Sequence, residues 1–114
     1  MKVSEILRKT KKTLTAETWI QNAFARDGIN GDGELVSVAS AKAKSWCMAG
    51  ALLRATGDYA NSDLYRHAYN ALEDEITSNL NLPAFNDEKC RTFEDIQTLF
   101  ERAIKNAEEK EASP

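Results

Sequence analysis

The sequence predicts an all-α fold, a compact bundle of about five helices, and three observations carry that reading. Apolar residues recur at helical spacing, as in Leu64, Ala68, Leu72, Ile76 and Leu80, and in Ile96, Leu99, Phe100, Ala103, Ile104 and Ala107. Five Gly and two Pro, with few alternating runs, argue against a sandwich or barrel. A length of 114 residues, 42% hydrophobic and 29% charged, suits one core and is too short for two.

Taken in order, Ser4 is placed to cap a first helix running to about Leu14, with Val3, Ile6, Leu7 and Leu14 on one side. Thr15 is placed to cap a second, "AETWIQNAFA", whose Trp19, Ile20, Ala23 and Phe24 make one broad apolar stripe. The stretch "RDGINGDG" ends it with glycine turns, and "ELVSV" follows as a brief extended segment. A third helix is expected from Ser37 or Ser40 to Thr56, stopped by Gly57. It carries no charge from Ser45 to Leu53 and is apolar on opposite sides, the pattern of a central helix surrounded by others. Gly50 in its middle costs about 1 kcal/mol against alanine, a cost that makes sense where another backbone comes close.

A fourth helix fits Asn61 or Ser62 to about Asn81. "NLPAFNDEKCR" is expected to be a structured loop, because Pro83 blocks continuation and Phe85 is too apolar for water. The last helix starts at Thr92, where Thr92 and Asp95 imitate a capping box. Residues 1–107 thus form a single helical domain, and 108–114 a flexible C-terminal tail.

Charge and cysteine content narrow the function classes. Lys2, Arg8, Lys9, Lys11 and Lys12 against Glu5 give residues 1–12 a net +4 within a chain of −3, leaving −7 on the rest. A general nucleic-acid binder is disfavoured by that balance, and the basic first helix reads as a solvated face. No apolar run approaches the ~20 residues that span a bilayer. Two cysteines, Cys47 and Cys90, give neither a disulfide framework nor a metal pattern. With no apolar segment behind Met1-Lys2, the expected location is cytoplasmic.

The same residues carry a family resemblance. "TWIQNAFARDGING", "SWCMAGALLRATG" and "AFNDEKCRTFEDIQTLFERAI" resemble a family of small bacterial and bacteriophage proteins with no assigned activity. The matching positions are Trp19, Ala25-Arg26-Asp27, Trp46-Cys47, Gly50-Ala51-Leu52, Phe85-Asn86-Asp87 and Thr92, with Phe85 standing where Trp is common. The resemblance runs from about Thr18 to Ala107, leaves the basic first helix outside, and implies a helical fold.

Three constellations invite chemistry. Cys47, His67 and Asn86 or Asp87 supply the residue types of a cysteine hydrolase, but His67 sits mid-helix and Cys47 is expected inside a helix, away from the N-terminal position that activates thiols. "DGINGDGE" fails as a calcium loop: with Gly33 at the sixth position, Gly28 and Ala39 fall where the first and twelfth ligands belong. "FND" holds most promise. Asn86 and Asp87 either cap a turn after Pro83 or point an amide and a carboxylate into a pocket beside Trp46, with Arg26, Arg54 and Arg91 available for an anionic ligand.

The sequence therefore points to a non-enzymatic binding or interaction protein of unknown role. Its candidate ligand-binding residues are Trp46, Asn86, Asp87 and Arg26, with no cofactor and no metal site. The alternative is a protein-interaction adaptor presenting helix faces, possible as a homodimer, and a Cys47-dependent hydrolase comes last.

Overall fold

The computed structural model describes residues 1–57 and 61–113. Five helices, α1 (Val3–Thr13), α2 (Met48–Ala55), α3 (Asp63–Glu73), α4 (Leu82–Asp87) and α5 (Phe93–Ala112), accompany two short strands, β1 (Ala25–Arg26) and β2 (Ser45–Trp46). The fold is mostly helical with a small sheet, which corrects the purely all-α expectation. Among the described residues five helices are present, though not the five expected.

The second expected helix does not form. Thr15 and Thr18 exchange side-chain and backbone hydrogen bonds, and Thr18 Oγ1 donates to Thr13 C=O at 2.9 Å, closing one turn that goes no further. Trp19 and Ile20 then pair with the backbone around Trp46: Ile20 N–H donates to Trp46 C=O at 3.1 Å, and Trp46 N–H to Thr18 C=O at 2.8 Å. Thr, Trp, Ile and Phe suit extended backbone at least as well as helix, so these distant partners decide the outcome.

β1 and β2 pair antiparallel, Ala25 opposite Trp46 and Arg26 opposite Ser45. On the other edge of β1, Arg26 bridges Leu35, and Val36 N–H donates to Ala25 C=O at 3.2 Å. Of the extended segment expected over "ELVSV", Leu35 and Val36 pair with β1 and Val38 already lies in a turn, while the glycine-rich stretch turns the chain between β1 and Leu35. Gly33 takes φ +99, and a Cβ there would meet Asp27 Oδ1 and Gly28 N at 2.5 Å.

The third helix is shorter than expected. Ser37 and Ser40 accept hydrogen bonds from Ala39 and Lys42 N–H, making serine turns that compete with a helix start. The charge-free stretch that reads as one helix is β2, then Cys47 as N-cap, then α2. Every residue from Ser45 to Leu52 is buried, so its central position stands. Gly57 (φ +85) follows the Thr56 C-cap, as its position in the sequence indicates.

α1 begins one residue before Ser4, whose hydroxyl and N–H donate to Glu111 at 2.5 and 3.1 Å instead of capping. Arg8 pairs with Glu108 at 2.7 Å, so α1 and α5 lie antiparallel. Residues 108–112, read from the sequence as tail, are the last part of α5 and carry these contacts. α3 is capped by Ser62 as expected but ends at Glu73, whose carboxylate accepts Leu82 N–H at 2.8 Å. The four-residue apolar period runs past the helix end: Ile76 and Leu80 pack on the core from a turn.

α4 replaces the expected loop. Asn81 accepts Ala84 N–H at 2.9 Å, and Pro83 sits in the first turn, where its missing N–H costs nothing. Thr92 and Asp95 do form the capping box of α5. Ile6, Leu7, Met48, Leu52, Leu72, Leu82, Ile96 and Phe100, all at most 1% exposed, join the five helices in one apolar cluster. No helix is long and apolar enough to cross a membrane among the described residues.

Candidate functional site

Asn86, at the end of α4, is 1% exposed and uses its whole amide. Oδ1 accepts Trp19 Nε1–H at 2.8 Å and Met48 N–H at 3.0 Å, while Nδ2 donates to Ile20 C=O at 3.0 Å and Asp87 Oδ1 at 2.9 Å. One side chain thereby ties α4 to the 19–20 segment and to the first residue of α2. Gln21 reinforces the seam, donating to Asn86 and Glu88 C=O at 3.0 and 2.9 Å. Such a site has no amide left for a ligand.

Asp87 divides its carboxylate. Oδ1 accepts Asn86 Nδ2 and Asn22 N–H, both at 2.9 Å, and fixes Asn22 in a left-handed conformation (φ +64). Oδ2 makes no hydrogen bond within the chain among the described residues. Asp87 borders a depression of about 360 Å³ that also includes Phe24, Cys47, Ala49, Pro83 and Asn86.

Trp46 and Arg26 do not line that depression. Trp46 is 7% exposed, its Nε1–H directed to Val38 C=O at 3.4 Å, with the Arg54 guanidinium 5.0 Å from its ring. Arg26 donates to Gly33 C=O at 2.9 Å and holds the glycine turn. Arg54 donates to Val38 and Ser40 C=O, and Arg91 lies 3.5 Å over Phe85 while bonding Phe85 C=O and Glu88. The aromatic wall comes instead from Phe24, which the sequence reading placed in the apolar stripe of a helix. Its signal was available: "NAFARDG" is a short extended run between an Asn and an Asp-Gly turn.

Cys47 is the N-cap of α2, its Sγ accepting Gly50 N–H at 3.2 Å, which corrects its expected place inside a helix. Two effects compete at this thiol. Burial pushes its pKa up and is the larger; backbone hydrogen bonds from Gly50 and Ala49 lower it, and the Asp87 charge raises it further. His67, the residue needed to activate it, is exposed on α3 and lines a different groove, with Ala71, Ala103 and Ala107. Cys47 should therefore be inert and Cys90, which is exposed, reactive. A thiol reagent in native buffer should add one label per chain, with the second appearing only in denaturant. Two rapid native labels would contradict the buried-cap account.

No curated protein and no solved structure matches this chain. A family model described as a family of unknown function, DUF6197, matches residues 1–106 and so takes in the basic first helix, which the resemblance had left outside. The chain belongs to that family of unknown function.

Proposed function

We propose that this chain is a non-enzymatic interaction protein whose contact surface is Phe24 and the depression beside it. Phe24 carries the reading: the residue is 56% exposed although its backbone is fixed. Its carbonyl accepts Cys47 N–H at 3.3 Å and lies against Gly50, while Asn22, two residues earlier, is held by Asp87. An exposed aromatic on a mobile loop is ordinary. A ring presented from fixed backbone at the rim of a concavity has little conformational entropy left to lose on binding. Ile29 and Leu35, 40% and 67% exposed, are further exposed apolar residues in the following stretch of chain.

This surface favours the adaptor form of the reading, because Trp46, Asn86 and Arg26 are each engaged inside the fold. The proposal extends to a bacterial or bacteriophage-host cytoplasm, supported by the sequence resemblance and by two free thiols. Photo-cross-linking from position 24 in the source cell tests it. The expected product is one defined polypeptide, a different protein or a second copy of this chain.

A further inference from the structure

Resting on that interaction reading, we infer that the depression beside Phe24 accepts a basic side chain, arginine or lysine, of a partner polypeptide. Among the described residues that line it, Asp87 is the only charged one. Its carboxylate is oriented in advance by two donors on Oδ1, which leaves Oδ2 directed by the fold and not by a counter-ion. No ion pair reaches Asp87 among the described residues. Arg91 is taken by Glu88, Asp95 and the Phe85 ring, and Arg26 by Gly33 C=O.

The remaining lining selects among ligands. Ala49, Pro83 and Cys47 offer apolar surface to an aliphatic stem. The Phe24 ring offers a face to the charged end. An anion would meet the Asp87 charge, and a purely apolar group would strip water from that carboxylate without replacing its hydrogen bonds. A cation on an apolar stem satisfies both halves of the site.

The test titrates the full chain with N-acetyl-arginine amide and with N-acetyl-citrulline amide, its uncharged analogue of similar shape, followed by amide resonances. The arginine compound should give saturable shifts at Asn22, Phe24 and Asp87, and the citrulline compound should bind about tenfold more weakly or less. Asp87→Asn keeps an oxygen for Asn22 N–H and Asn86 Nδ2 but removes the charge, and should weaken the arginine compound by a similar factor. Equal binding of the two compounds, or no saturable shift with either, overturns the inference even if the variant fails to fold. So does saturation of the same amides by spermidine alone, which would mark a free amine as the ligand. A cross-link from position 24 together with a failed titration would leave the interaction surface standing with a different partner chemistry.

Discussion

Asn86→Ala should destabilise the fold by about 3 kcal/mol or more, the sum expected when two or three buried polar groups lose their partners at ~1–3 kcal/mol each. The groups are Trp19 Nε1–H, Met48 N–H and Ile20 C=O, all of which bond the Asn86 amide. The bonds to Met48 N–H and Ile20 C=O are buried, and that to Trp19 Nε1–H is part-buried. Against a total stability of about 5–15 kcal/mol for ordinary proteins, such a loss is large. Equilibrium denaturation of the variant beside wild type measures it. A shift below ~1 kcal/mol would mean that the three groups rearrange onto other partners and that Asn86 is not the joint described.

Gly50→Ala should be nearly as damaging, despite alanine's better helix propensity. A Cβ on Gly50 would lie 2.0 Å from Phe24 O, far inside van der Waals contact, and the obstacle is backbone, not a side chain that can swing away. Relief requires the 22–26 segment to move off α2, against the Cys47 N–H···Phe24 C=O bond and the pairing of Ala25 with Trp46. Overpacking of this kind costs about 1–3 kcal/mol, and Gly50→Leu should cost more. The position of Phe24 depends on the same contact, so the substitution should also weaken binding at the surface. An unchanged thermal midpoint for Gly50→Ala would show that the segment is not pinned to α2.

What the sequence conveys and what it hides divide along the range of the interactions. The α5 start was legible because Thr92 and Asp95 cap locally, and so was the Ser62 cap of α3. Gly50 signalled a close backbone, though the neighbour is the chain leading into β1 and not another helix. The 16–25 and 37–46 segments were misread because their apolar residues fit a helical stripe. The first is set by distant partners, as Trp19 is by Trp46 and Asn86, and the second by local serine turns together with pairing to β1. Pro83 was read as a barrier when it stands at a helix start, a distinction that turns on whether Asn81 caps.

The candidate site was half legible. The sequence marks Asn86 and Asp87 as a pair but not the division of labour between them. Nothing in "FND" indicates that the amide is spent on Trp19, Met48 and Ile20 while one carboxylate oxygen is left over. Trp46, expected beside the pocket, is 7% exposed, whereas Phe24, expected in a helical stripe, is 56% exposed at the depression.

The central claim is that Phe24 serves a partner and not the fold, and photo-cross-linking from position 24 tests it most directly. A photoreactive side chain there should capture one defined polypeptide in the source cell, well above the yield from Arg102, an exposed position on α5. The substituted chain should keep its unfolding free energy within ~0.5 kcal/mol of wild type, as surface replacements do. Equal yields from the two positions, with the chain still folded, would contradict the account.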